Sequence, residues 1–249
     1  MIAIVSPSKT MKEESVNIET TEPYFIKETK ILKSELKNYS KENLKDLMKI
    51  SDNLADLNYK RFQNFDKAES YPAIYLFRGD VFNGISQDSL NEDELEYLNK
   101  HLVILSGLYG AIRPLDSIKP YRLEMGTKLK NKYGDNLYEF WGDKVKKYLE
   151  KESQDKILIN LASKEYSKVI KEKEINLDVY DIDFKELREK KYKIIAFYAK
   201  VARGEMARFM AANNCQTVDE LKKFNYSGYR FNKKLSSEKN LVFTRKQVK

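Results

Sequence analysis

Residues 89–107 read SLNEDELEYLNKHLVILSG, a polar, acid-rich segment that gives way at Leu102 to an unbroken apolar run. Ser89 to Lys100 has the signature of a helix opened by a Ser-x-x-Glu-like or Asn-led cap, and Leu102 to Leu105 that of a core strand. With Ala73 to Phe77 as a preceding strand, the unit is strand, helix, strand. Beyond a Gly- and Pro-bearing loop from Gly107 to Gly126, Leu137 to Lys151 predicts a helix and Ile157 to Leu161 a further strand. Upstream, Ile2 to Val5 is a buried strand closed by Ser6-Pro7. Pro23 to Phe65 is helical in texture, with breaks near Asn38 to Ser40 and at Ser51, where Ser51 or Asp52 can cap a new helix. Downstream come strands near Val179 to Phe184 and Ile194 to Phe197, helices from about Lys200 to Asn213 and Val218 to Phe224, and a last strand from Leu241 to Thr244. This alternation predicts a mixed α/β (α+β) fold with a mixed β-sheet flanked by helices. No repeat, low-complexity tract or Gly/Ser linker marks a boundary, so residues 1–249 are expected to form a single compact domain.

The chain has 249 residues, 41% of them apolar and 34% charged, and its 46 Lys and Arg against 38 Asp and Glu give a net charge of +8. That length can bury a substantial core, and the charge favours anionic partners through long-range attraction. Cys215 is the one cysteine, which excludes an intramolecular disulfide and a Cys-based zinc or iron–sulfur site and fits a reducing compartment. The N-terminus carries no signal-peptide pattern and no apolar run is long enough to span a bilayer. A cytoplasmic protein with no membrane partner is expected.

The segment from Lys200 carries the sharpest helical pattern. Ala202, Met206, Phe209, Met210 and Asn213 fall on one side, and Lys200, Arg203, Gly204, Ala207 and Ala211 on the other. Small residues between Lys200 and Arg203, with Arg208 at the edge, would let a phosphate backbone approach; the plain alternative is a solvated helix face. Ser6-Pro7-Ser8-Lys9-Thr10 follows the first strand directly, where α/β proteins place binding loops, but it lacks the glycines of a P-loop. Phe77 to Gly84 sets Arg78 and Asp80 beside Gly79, a position expected to need positive φ. The candidate acid–base groups are Asp80, Asp116, Glu124, Asp143 and Glu165, with no histidine partner to single out a pair. His101 stands alone ahead of a core strand and reads as structural, so neither a nucleophilic triad nor a metal or cofactor site is expected.

Residues 41–65 form a further unit. Leu44, Leu47, Met48 and Ile50, then Leu54, Leu57, Phe62 and Phe65, suggest two short helices joined by a tight turn at Lys49 to Asp52. With Lys45, Lys49, Lys60 and Arg61 on or near it, the unit is helix-hairpin-helix-like, although the usual hairpin glycines are absent.

Together these segments resemble the YaaA family of peroxide-stress-response proteins. The matching pieces run in order from end to end: SPSKT (6–10), LMKISDNLADLN (47–58), FRGDVFNG (77–84), LSGLYGAIRPLD (105–116), PYRLEMG (120–126), LYEFWGD (137–143), INLASKEY (159–166), IIAFYAKVARGEMARF (194–209) and FNYSGYRF (224–231). The resemblance implies a cytoplasmic protein of the response to hydrogen peroxide that limits damage from peroxide and intracellular iron, with DNA repair and iron homeostasis as its setting. It implies binding of duplex and branched double-stranded DNA without strong sequence specificity. It also implies an unusual single-domain "cantaloupe" fold with a basic cleft and a helix-hairpin-helix, no cofactor and no enzyme activity. The expected DNA-binding residues are Lys45, Lys49, Lys60, Arg61, Lys200, Arg203 and Arg208. Ser6, Lys9, Thr10, Arg78, Asp80, Arg113, Arg122, Glu124, Ser163, Glu165 and Tyr198 are expected to line the cleft. So many polar residues keep open an alternative: an enzyme acting on a nucleotide, nucleobase or other small anionic ligand held there. Direct iron sequestration is disfavoured, because carboxylates without His or Cys make a poor selective iron site.

Overall fold

The first apolar run forms strand β1 (Ile2–Val5), buried along its whole length. The computed structural model describes residues 1–247. Three helices follow in the polar stretch after it: α1 (Ile26–Lys37), α2 (Lys41–Met48) and α3 (Asp52–Gln63). The breaks between them have local causes. Ser40 accepts a hydrogen bond from the Asn43 amide at 3.2 Å, and Ser51 one from the Leu54 amide at 3.5 Å, satisfying donors that the first helical turn leaves free. Lys49 adopts the left-handed conformation, with φ of 52°, and so turns the chain between α2 and α3.

Ala73 to Leu76 forms the one-turn helix α4, not the strand that its apolar run predicts. Helix α5 (Asp80–Ile85) follows, and then α6 (Glu92–His101), which leads straight into strand β2 (Leu102–Ser106). The Asn-led cap of α6 is a full capping box, in which Asn91 accepts from the Glu94 amide at 2.9 Å and Glu94 accepts from the Asn91 amide at 3.0 Å. Strand β3 (Gly110–Ile112) turns back antiparallel on β2.

The helix expected over 137–151 is two helices, α7 (Leu137–Trp141) and α8 (Lys144–Glu152), because Gly142 takes a φ of 49° and ends the first. Strand β4 (Ile157–Asn160) and the one-turn helix α9 (Lys164–Ser167) precede the long strand β5 (Asp178–Arg188) and its short antiparallel partner β6 (Lys191–Lys193). Ile194 to Phe197 is not a strand: Ala196 already opens helix α10 (Ala196–Ala212), which starts earlier than its sequence pattern suggests. The chain ends with the single turn α11 (Val218–Leu221), shorter than expected, and strands β7 (Arg230–Phe231) and β8 (Asn240–Arg245).

These strands make one eight-stranded sheet, ordered β7-β8-β5-β4-β1-β2-β3 with β6 on β5. The pairs β2–β1, β1–β4, β4–β5 and β5–β8 are parallel, so the sheet is mainly parallel and its antiparallel strands sit at the margins. Burial on both faces accounts for the unbroken apolar runs of β1, β2 and β4. Each fully buried Ile, Leu or Val there contributes about 1.5–3 kcal/mol.

Helix α10 crosses α5 in backbone contact. A Cβ on Gly84 would lie 2.1 Å from the Val201 carbonyl oxygen, and one on Gly204 would lie 1.8 Å from that of Val81. Gly204, Ala207 and Ala211 are buried. The small residues of α10 are therefore a helix-packing seam, which corrects the expectation that they form an open approach for a phosphate backbone. Among the described residues, no helix is long and apolar enough to cross a membrane.

Candidate functional site

Strand β1 is followed by a long connection to β2 on one side of it, while β4 lies on its other side. The order of strands therefore reverses between β1 and β4, and in parallel sheets such a reversal opens a crevice beyond the carboxyl ends of the two strands. Ser6 follows β1 and Ser163 follows β4 at that point. The Ser163 amide donates to Ser6 Oγ at 2.9 Å, and the two hydroxyls lie 3.2 Å apart.

Three loops converge on this pair. The loop after β2 is drawn back by the Trp141 indole, whose Nε1 donates to the Gly107 carbonyl at 3.1 Å, and by the Ser106 hydroxyl against Tyr121 at 2.5 Å. That fold brings Glu124 to Lys9 at 2.8 Å and to Arg122 at 2.9 Å, and lets the Gly126 amide donate to Glu165 at 3.0 Å. From the other side, Thr10 pairs with Arg78 in a short antiparallel ribbon that carries Gly79 against Ser8. Gly79 has φ of 134°, and a Cβ there would lie 2.5 Å from Ser8 Oγ, so glycine is required on both counts. Asp80 then opens α5 and faces Lys200 of α10 at 3.6 Å.

A cavity of about 820 Å³ adjoins the end of β4. Asn160, Asp181, Asp183, Arg203 and Asn240 form its inner wall, and Lys164, Lys168 and Lys173, with Glu172 and Glu174, its exposed rim. Asn160 donates to Asp181 at 2.7 Å and Asn240 to Asp183 at 3.4 Å. Burial pushes the Arg203 pKa below its ordinary value, while the negative charge of Asp183 and Asp181 works in the opposite direction. Arg203 Nε and Asn240 Oδ1 have no hydrogen-bond partner among the described residues.

The structure does not gather every expected residue here. Arg113 lies at the opposite, amino end of the strands, donating to the Lys100 carbonyl at 2.7 Å, to Tyr148 at 3.0 Å and to Glu152 at 2.6 Å. Arg78 turns to Asp88 at 3.0 Å. Tyr198 lies under the Arg245 guanidinium, 4.6 Å from its ring centre. Arg208 donates to Glu94 at 2.9 Å and to the Ser89 carbonyl at 3.0 Å, tying α10 to the start of α6. In the α2–α3 unit, Lys45 pairs with Asp52 at 2.7 Å, Lys60 with Asp56 at 2.6 Å and Arg61 with Glu13 at 2.8 Å, while Lys49 is exposed at the turn.

Asp181, Asp183, Asn160 and Asn240 are the residues that sequence reasoning missed. The signal was the alternation of Asp181-Ile182-Asp183-Phe184, which sets both carboxylates on one face of β5. Among the described residues, no three His, Cys, Asp or Glu side chains are grouped as a metal site.

The chain is thus a mixed α/β protein with a mainly parallel sheet and a polar, charged crevice at the carboxyl end of its strands. The family model described as peroxide stress protein YaaA matches residues 1–235. The chain is 44% identical over 258 residues to a UPF0246 protein of Idiomarina loihiensis, with 100% of both chains covered. It is 43% identical over 255 residues to one of Legionella pneumophila, covering 98% of this chain and 99% of the relative. The protein belongs to the peroxide stress protein YaaA family.

Proposed function

We propose that this protein acts in the peroxide response by binding DNA through its phosphate backbone, taking duplex and branched forms without reading sequence and limiting peroxide- and iron-dependent damage in the cytoplasm. The observation that carries this reading is the α2–α3 unit, taken as helix-hairpin-helix-like. Its two Ser-capped helices are joined by a turn with Lys49 in the left-handed conformation and exposed, and the net charge of the chain is +8. Lys45 lies in the last turn of α2 beside that turn, Lys60 and Arg61 lie in the last turn of α3, and Lys200 adds a cation at the crevice. Phosphates would compete with Asp52, Asp56 and Asp80 for these side chains, an exchange that favours the polyanion because each neutralised phosphate releases condensed counterions. Arg203, buried in the cavity wall near Asp181 and Asp183, and Arg208, held by Glu94, are assigned a supporting place. A mobility-shift titration with unrelated duplexes and a four-way junction at low salt tests this. Comparable binding to all of them is expected, and no shift with any would refute it.

A second reading, an enzyme acting on a small anionic substrate, is favoured by the Ser6–Ser163 pair at the strand reversal, where ligands of parallel sheets bind. A thermal-shift screen of nucleotides and nucleobases tests it. Stabilisation by one of them without any DNA binding would make this reading the better one.

A further inference from the structure

The arginines withdrawn from solvent in this fold hold carboxylates. Arg113 pairs with Glu152 at 2.6 Å, Arg208 with Glu94 at 2.9 Å and Arg245 with Glu186 at 2.9 Å. Arg203 of α10 departs from this pattern. It is set into the wall of the cavity beside β4, where Asp183 and Asp181 act on it only from beyond ion-pairing distance. Its Nε is closed off by the fold, whereas both Nη nitrogens keep some accessible surface and have no hydrogen-bond or ion-pair partner among the described residues. A cation drawn out of water without a partner is costly to a fold. An anion in the cavity would supply that partner, and the edge of a guanidinium suits two oxygens of a phosphate.

The same wall offers acceptors. Asp181 Oδ1 accepts a hydrogen bond from Asn160 at 2.7 Å, and Asp183 Oδ2 accepts one from Asn240 at 3.4 Å and faces Lys185 at 3.4 Å. The other oxygen of each carboxylate, Asp181 Oδ2 and Asp183 Oδ1, has no partner among the described residues. Two residues apart, these carboxylates sit side by side on one face of β5. In nucleotide-binding sheets a carboxylate accepts from a ribose hydroxyl in this way. Lys164 and Lys168 stand exposed on the rim. The volume of about 820 Å³ suits a small molecule, and the cavity adjoins the end of β4 beside the strand reversal, where parallel sheets take ligands. From the unpaired guanidinium beside two half-used carboxylates we infer that this cavity binds a free sugar phosphate, with its phosphate on Arg203 and the rim lysines and two neighbouring hydroxyls on Asp181 and Asp183. The inference rests on the second reading above, a small anion at this end of the sheet, and gives that anion its chemical class.

Isothermal titration calorimetry of the full chain with ribose 5-phosphate, 2-deoxyribose 5-phosphate, ribose, inorganic phosphate and ATP tests it. Ribose 5-phosphate is expected to bind, and the deoxy sugar phosphate, ribose and inorganic phosphate each at least roughly tenfold more weakly, the loss that one missing charge-assisted hydrogen bond brings. Arg203→Met and Asp181→Ala should each weaken ribose 5-phosphate by at least roughly tenfold on the same ground. Arg203→Met should do so without lowering the urea midpoint, since it removes a cation that no carboxylate of the protein holds at contact. Lys164→Ala/Lys168→Ala, confined to the exposed rim, should weaken binding with the fold intact. Equal binding of inorganic phosphate or of the deoxy sugar phosphate would overturn the inference. So would binding that survives both Arg203→Met and Asp181→Ala, which would put the ligand elsewhere, and so would a lower midpoint for Arg203→Met, which would show the guanidinium already paired within the fold. Binding of ATP but not of ribose 5-phosphate would overturn the ligand class and leave the small-anion reading standing. No binding of any of these would overturn both.

Discussion

Gly84 of α5 and Gly204 of α10 meet across a helix crossing so close that each occupies space a Cβ would take from the other helix's backbone. This contact sets the start of α5 beside the start of α10, and so places Asp80 within 3.6 Å of Lys200. Gly204→Ala would put a methyl group 1.8 Å from the Val81 carbonyl oxygen, and the helices must part to accept it. A loss of about 1–3 kcal/mol is expected, the usual cost of overpacking a tight contact. Urea unfolding measures it, and a change below about 0.5 kcal/mol, the range of neutral surface substitutions, would show that the crossing is looser than described.

Arg208 is expected to act on the fold more than on DNA. Its guanidinium joins Glu94, whose side chain is 9% accessible and already caps α6, so Arg208→Ala leaves a mostly buried carboxylate without its cation. The expected cost is on the order of 3 kcal/mol. The salt dependence of DNA binding should stay as it is. A variant as stable as the parent but with a shallower salt dependence would return Arg208 to the DNA surface.

His101 stacks on Tyr97 with ring centres 4.3 Å apart, and its Nδ1 lies 2.9 Å from the Met1 carbonyl, to which the N–H donates. Burial lowers its pKa from the ordinary value, against the opposing effect of that hydrogen bond. The unfolded chain therefore binds the proton more readily than the folded one. The stability contributed by the neutral ring is complete above about pH 6.5, the unfolded value, and declines as pH falls from there toward the lower folded pKa. The urea midpoint should drop across that window, and His101→Gln should flatten the drop. Parallel profiles for parent and variant would assign the pH dependence to other groups.

Local chemistry made parts of this architecture readable. Ser40, Ser51 and Asn91 cap helices where their side chains can reach a free amide, and β1, β2 and β4 are apolar because both faces of a parallel sheet are covered. The run Ala73 to Phe77 predicts a strand, but a short apolar run suits a buried helical turn equally well, and Ala73–Leu76 forms one. The β-branched pair Ile194-Ile195 favours extended backbone and predicts a strand through Phe197, whereas Ala196 onward joins a helix fixed by its packing on α5. The crevice was half legible. Ser6, Lys9, Glu124 and Ser163 sit in loops, where function concentrates, and Asp80 opens α5. Arg113 looks no different in sequence, and only the direction of β3 sends it to the other end of the sheet. Arg208 reads as a surface cation because its partner, Glu94, is 114 residues away along the chain.

The central claim is that the surface cations hold DNA by its backbone, and affinity as a function of salt tests it most directly. Binding to a duplex of arbitrary sequence, followed by anisotropy from about 50 to about 200 mM salt, should give a steep linear fall of log affinity against log salt, with the same slope for an unrelated sequence. Replacing Lys45, Lys49 and Lys60 together by Ala should lower that slope by up to about three, and Lys200→Ala by about one, each lost phosphate contact removing roughly one unit. Affinity that does not change with salt, or that depends strongly on sequence, would contradict the account.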